Sequence, residues 1–306
     1  MDAECWGRLR QVVERQDGVF SFDQALVAGF APSTLFRLEQ RGQLRRLHPA
    51  VYVMSGTRVS ATTREAAGLL RLGPASVLSH RSSAAVLKIL AQPEVPWLTI
   101  PSSHKAPPRS DGLIVKRARV VEALPLGRGR RITPMPRTLV DLAQCLDDRE
   151  LTATYLTAMQ RDPSLYDAVV AKIDAIGRGY PGLARARRVL TEFSPEMESI
   201  LGVEGYRLLK PHFPRLVAGR PILCVDGVTR TLDLFDPDLA FNIECDSWAF
   251  HGSRDQQTSD KRRDRIVFAS GVLTSRLNTD DIRRTPQQSV REIVAVAEQR
   301  RRDLAA

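Results

Sequence analysis

Asp233, Glu244 and Asp246 stand in TRTLDLFDPDLAFNIECD, where apolar and polar residues alternate as in half-buried β-strands. In the later strand Phe241, Ile243 and Cys245 share one face, which leaves Asn242, Glu244 and Asp246 on the other. A turn centred on Pro237-Asp238 sets Asp233 opposite Asn242 and diagonal to Glu244, about 7 Å away between backbones. Carboxylates so close repel unless a positive charge lies between them, and a hard divalent cation, Mg²⁺ or Mn²⁺, meets that need better than zinc. Held by Asp233 and Glu244, such an ion would polarise a phosphate and lower the pKa of a bound water, so phosphodiester hydrolysis is the expected chemistry. Asp246 and His251, where the strand hands over to a loop, could orient that water or protonate the departing oxygen; Glu198 could complete the metal shell through a water. Arg262 and Arg263, in DKRRDR, could grip phosphates, although such a run on a helix is as readily a solvated charged face.

The elements that must position these residues read in the order αβββαβ, with a closing helix. Ser194-Pro195-Glu196 starts a helix that runs through Leu209. Asp226-Gly227 is a two-residue hairpin signal, and Asp236-Pro237-Asp238 makes the next turn. A helix over 256–270, a strand over 272–277 and a helix over 286–302 follow. The order and the residues ESILG, RTLD, IECDSWAFH and DKRRDR resemble the PD-(D/E)XK nucleases, in the branch similar to the Vsr repair endonucleases, over about residues 194 to 302. The resemblance implies a restriction-endonuclease-like domain in which Asp233 and Glu244 match the metal-binding pair and Glu198 the first-helix glutamate. It places Asp246 where the family has its usual lysine, His251 after the third strand, and Asp260, Arg263 and Asp264 on a D-x-x-R-D helix. Two departures stand out: Ser247 where the branch commonly has Gly, and no Lys in the usual catalytic place.

A second chemistry is written near the N-terminus. Trp6, Leu9, Val12 and Val13 share one face of a helix over 3–16, and Ser21 with Gln24 forms a capping box for a second helix that ends at Gly29. In APSTLFRLEQRG, Pro32 near a first turn, Leu35 and Leu38 on one side and Gly42 as the stop predict a third helix over 33–41. Ser33, Thr34, Arg37, Gln40 and Arg41 are left on its outer side. QLRRLHPAVYVM then reads as two strands around His48-Pro49-Ala50, which puts Arg45 and Arg46 on a wing. The third helix of such a winged helix-turn-helix fits a major groove, where Arg and Gln donate to base edges while Ser and Thr reach phosphates. A small helical domain with a solvated polar face, or a winged helix used for protein contacts, is the other reading of the same residues.

The 306 residues amount to about two domains by length, and 43% hydrophobic with 26% charged residues excludes disordered, collagen-like and low-complexity classes. Without a basic-then-apolar start or an uncharged apolar run of eighteen residues, the chain is expected to be cytoplasmic and away from membranes. Cys5, Cys145, Cys224 and Cys245 stand far apart and are expected as reduced thiols. Of the net charge of +10, residues 61–190 hold nearly all, with 20 Lys plus Arg against 11 Asp plus Glu. Such a balance attracts nucleic acid, and Lys116, Arg117, Arg119, Arg128, Arg130 and Arg131 suit a DNA backbone. In this middle stretch the pattern predicts helix over 60–90 with Ser79 as a cap, strands over 97–100 and 113–117, and loops over 102–108 and 128–137. Helices over 138–146, 148–160, 166–175 and 183–193 come next. His80 with Arg81 is expected to satisfy local carbonyls or to pair with a carboxylate such as Asp141.

GVFSFDQALVAGFAPSTLFRLEQRGQLRRLHPAVYVM, with SHRSSAA at 79–85 and RTLVDLA at 137–143, resembles the AbiEi-family antitoxins through roughly the first 190 residues. The resemblance implies operator recognition by Ser33, Thr34, Arg37, Gln40 and Arg41, with a basic second domain assisting. The expected whole is a multidomain α+β chain: a winged helix-turn-helix over 1–58, a mixed helix and strand middle over 59–192, and an αβββαβ nuclease-fold domain over 193–306. Double-stranded DNA, a cognate toxin protein and a second copy of the chain are the expected partners. A metal-dependent endonuclease and a non-catalytic repressor of the antitoxin kind both fit, and a protein-interaction scaffold is the third reading.

Overall fold

The computed structural model describes residues 3–104, 112–191, 199–246 and 254–306. The chain is mixed α/β and divides into two compact units, residues 1–145 and 146–306. Among the described residues no helix is long and apolar enough to cross a membrane, and the four cysteines are free thiols.

The first unit opens with α1 (Ala3–Glu14), β1 (Val19–Ser21), α2 (Phe22–Val27) and α3 (Pro32–Gln40), then β2 (Leu44–His48) and β3 (Val51–Met54) in a sheet of order β1-β3-β2. Ser21 caps α2 and Gln24 returns the bond to the Ser21 backbone, the reciprocal box expected. Pro32 occupies the first turn of α3 behind Ala31, so the helix starts one residue before Ser33, and Arg41 is its C-cap. Gly29 turns the chain between α2 and α3 at φ +101°, where a Cβ would stand 2.8 Å from the Cys5 sulfur. Leu9, Phe20, Phe30, Leu35, Leu38 and Tyr52 fill the core beneath. The short strand β1, unmarked by alternation, pairs with β3.

The next elements are α4 (Ala61–Leu72), β4 (Val77–Leu78), α5 (His80–Val86), β5 (Trp97–Pro101), β6 (Ile114–Ala118), β7 (Leu124–Gly127), β8 (Arg130–Ile132) and α6 (Met135–Leu142), with a sheet of order β6-β5-β4-β8-β7. Ala66 and Ala67 of α4 lie on Val19, Val51 and Val53, small against branched. The helix expected over 60–90 is interrupted because Gly73, at φ +85°, ends α4 and Val77 and Leu78 enter the sheet. Ser79 precedes α5 but makes no capping bond, its hydroxyl being taken by His80 and Thr99. The loop expected over 128–137 instead contains β8 and the start of α6. Pro134 before Met135 starts that helix three residues ahead of Thr138, and it ends at Leu142 rather than 146.

The second unit carries α7 (Asp148–Arg161), α8 (Leu165–Ile176), α9 (Leu183–Thr191) and α10 (Ile200–Leu209) ahead of β9 (Val217–Leu223), β10 (Thr229–Asp236) and β11 (Phe241–Asp246). Then come α11 (Arg254–Ala269), β12 (Leu273–Asn278), the short α12 (Thr279–Arg283) and α13 (Pro286–Ala305). The sheet order is β12-β11-β10-β9, with β12 parallel to β11 and the other pairs antiparallel. The expected helix start at 194–196 lies outside the described residues; α10 as described begins behind Ser199, whose hydroxyl accepts from the Gly202 N–H. Gly205 presses α10 onto the sheet so closely that a Cβ there would meet the Cys245 sulfur at 2.7 Å. The order from α10 through β12 is the one expected.

Candidate nucleic-acid interface and an acidic pair

Helix α3 is held by one face and free on the other. Leu35 and Leu38 are buried, whereas Ser33, Phe36, Arg37, Gln40 and Arg41 are exposed. Thr34 is half-buried and accepts from Arg37 Nη2 at 3.3 Å, which pre-orients the guanidinium. Arg45, exposed, reaches the Thr57 carbonyl at 3.5 Å. Arg46 donates to Glu39 at 2.6 Å and lies 5.5 Å from the Tyr52 ring centre. The Glu39 carboxylate thereby holds the Arg46 guanidinium above its ordinary pKa. Residues 8–55 match the family model described as transcriptional regulator, AbiEi antitoxin. The antitoxin-like segment thus runs from within α1 through β3 and contains every residue of this face. No curated protein matches the chain. Sequence reasoning left Phe36 out of the face, although its spacing from Ser33 and Gln40 was the signal that would have found it.

Downstream of the antitoxin-like segment, the expected cation surface is largely spent on internal bonds. Arg130 is half-buried between Glu65, at 3.0 Å, and Asp17, at 3.2 Å. Arg128 also reaches Asp17 at 3.2 Å, and Arg131 donates to the carbonyls of Ser76 and Gly73. Arg117 donates to the carbonyls of Ser102 and His104, and the Lys116 ammonium sits 5.6 Å from the Trp97 ring centre. Arg130 and Arg131 are therefore structural, which corrects the reading of these six residues as one backbone-binding surface. His80 is fully buried at φ +47°, bonded through Nδ1 to the Ser79 hydroxyl at 2.9 Å and stacked on Trp97. Burial pushes its pKa below the ordinary value, against the pull of Asp141. Asp141 is itself bonded to Arg137 at 2.8 Å, both side chains buried.

In the second unit Asp233 and Glu244 do converge. Leu234 pairs with Ile243 and Phe235 with Asn242, so the register runs two residues off the one expected and Asp233 is not opposite Asn242. A slip of two keeps every side chain on its expected face. Asp233 Oδ2 accepts the Cys245 N–H at 3.0 Å, and Glu244 accepts from the Asn242 amide at 2.7 Å. Burial first and the Asp233 charge second push the Glu244 carboxyl above the usual carboxylate range; Asn242, Arg263 and Arg276 pull it back. Arg263 Nη2 lies 3.8 Å from Glu244 Oε1 and donates to the Thr231 carbonyl at 2.8 Å, while Arg262 is exposed. Asp246 is exposed and bonded to Arg276 Nη1 at 2.7 Å, and Arg276 Nη2 reaches Asp264 at the same distance. Glu198 and His251 lie outside the described residues, as does the side chain of Asp260. Among the described residues no group of three His, Cys, Asp or Glu could hold a metal ion, so of these residues Asp233 and Glu244 are the pair on which a cation would rest. Two oxygen donors that hold each other's charge off suit a hard cation. Arg276 escaped sequence reasoning because nothing in LTSRLN marks it; parallel pairing alone brings it beside Glu244.

Proposed function

We propose that the protein is a DNA-binding transcriptional regulator of the antitoxin kind, which lays α3 of a winged helix in the major groove. Arg37 and Gln40 read base edges, Ser33 and Thr34 touch phosphates, and Arg41, Arg45 and Arg46 track the backbone. The observation that carries this reading is the exposed polar face of a core-anchored α3 inside the segment that matches the antitoxin regulators. A protein of this kind works with double-stranded DNA and a cognate toxin as partners. The test is a footprint of the intact chain on the duplex just upstream of its own reading frame, beside Arg37→Ala. A protected site that Arg37→Ala weakens supports the reading; uniform, sequence-blind binding refutes it.

A second reading is favoured by the convergence of Asp233 with Glu244: a nuclease-fold module that hydrolyses DNA phosphodiesters with Mg²⁺ or Mn²⁺. When bound, the ion supplies Lewis-acid activation of a water and a phosphate. The chain's own part is to hold that ion through Asp233 and Glu244, to grip the backbone with Arg262 and Arg263, and to handle protons or water through Asp246 and His251, with Glu198 at the edge of the shell. Incubation with duplex and single-stranded DNA plus Mg²⁺ or Mn²⁺, beside Asp233→Ala and Glu244→Ala, tests it. Equal products from the parent and both variants sink it.

A further inference from the structure

We propose that Phe36 is a base-reading residue whose ring meets the 5-methyl group of a thymine in the major groove. The inference rests on the regulator reading above and names part of its target. Ser33, Phe36, Arg37 and Gln40 fall at i, i+3, i+4 and i+7, so they form one stripe along α3. Leu35 and Leu38, which anchor the helix, are 1% and 3% exposed, while Phe36 is 61% exposed. Phe36 lies outside the core that holds the helix and leaves most of a large apolar side chain in water amid polar neighbours.

The charge around Phe36 selects its partner. Between Pro32 and Arg46 the chain carries Arg37, Arg41, Arg45 and Arg46 against Glu39 as the single acid, and Arg46 already occupies that acid at 2.6 Å. An apolar ring in a cationic surround calls for a partner that offers an apolar group flanked by anions. The major groove does so: each thymine shows a methyl group there, between two rows of phosphates. Arg37, the adjacent side chain on the same stripe, suits a guanine O6 and N7, so the thymine read by Phe36 lies within a base step of that guanine.

The experiment uses the intact chain and a duplex that it has selected from a random-sequence library. Each thymine of the selected site is replaced in turn by deoxyuridine, which deletes one methyl and leaves every hydrogen-bonding group in place. One replacement next to the Arg37-dependent guanine is expected to weaken binding about fourfold, the worth of one buried methyl. Phe36→Ala is expected to lose about the same on the thymine duplex and to bind the deoxyuridine duplex no worse, while Phe36→Leu keeps part of the discrimination. Because the ring is exposed, neither variant disturbs the core. Indifference of the parent to every replacement overturns the inference, as does discrimination that persists in Phe36→Ala. Unchanged DNA affinity with lost association between copies, or with a partner protein, reassigns Phe36 to a protein surface. If Arg37→Ala weakens binding and Phe36→Ala does not, only this inference falls; if the parent selects no sequence, the regulator reading falls with it.

Discussion

Arg276 on β12 pairs in parallel register with Glu244 on β11, and its guanidinium closes on Asp246 and Asp264 at 2.7 Å each. The acidic end of β11 is thus tied to α11 through a cation from a third element. Arg276→Met should release Asp246 and Asp264 together. The two pairs are close to half exposed, so the loss of stability is expected at about 1 kcal/mol and should shrink as salt is added. Urea melts at low and high ionic strength measure it.

Arg130 is a different case. Its partner Glu65 is 1% exposed and Asp17 is 7% exposed, so Arg130→Met takes the shared guanidinium from two buried carboxylates, leaving Glu65 the Gln92 amide and Asp17 the exposed Arg128. Removal of one partner from a buried pair costs about 3–5 kcal/mol, whereas Arg128→Met, 65% exposed, is expected within about 0.5 kcal/mol of the parent. Denaturant midpoints of the two variants should differ accordingly. The salt dependence of DNA binding should change little in Arg130→Met, because that guanidinium is 15% exposed and engaged by Glu65 and Asp17.

His80 makes stability depend on pH. Burial lowers its folded pKa from the ordinary 6.5, so the unfolded chain binds a proton that the folded one refuses. Its contribution is complete above about 6.5 and declines as pH falls below that value toward the folded pKa. His80→Asn keeps a residue that tolerates φ +47° and removes the titration. Melting temperatures between pH 7.5 and 5 are expected to fall less steeply in that variant. His48, also shifted down by burial and by Arg71, adds to the slope in the same sense, and Glu244, shifted up by burial and by Asp233, opposes it.

Arg37 and Arg45 should separate reading from holding. Arg37→Ala is expected to cost about 1–3 kcal/mol on the selected duplex and to relax preference at one base pair. Arg45→Ala is expected to weaken all duplexes alike and to lower the slope of log affinity against log salt by about one. Arg46→Ala should fall short of that, since Glu39 competes for the same guanidinium at 2.6 Å. Titrations at several salt concentrations distinguish the three.

The legible parts of the molecule are those whose causes are local. The Ser21–Gln24 box, Pro32 at the head of α3, and the inward Leu35 and Leu38 each depend on neighbours within a turn or two, so spacing alone reveals them. The same holds for the face that joins Asn242, Glu244 and Asp246, because side chains alternate along any strand; even the register error of two preserved it. The strands β4, β7 and β8 were illegible, each being too short for a pattern, with Pro125 and Gly127 inside β7.

Contacts between distant segments belong to another level. Arg130 meets Asp17 and Glu65, and Arg276 meets Asp246, across separations that carry no periodicity and no spacing rule. Residue types along the chain therefore dictated which helices form, which faces are apolar and which acids share a side. Chain crossings, above all the parallel return of β12 beside β11, chose which arginine each acid received and which cations stay free for a ligand, because a charge seeks the nearest opposite charge in space and not along the backbone.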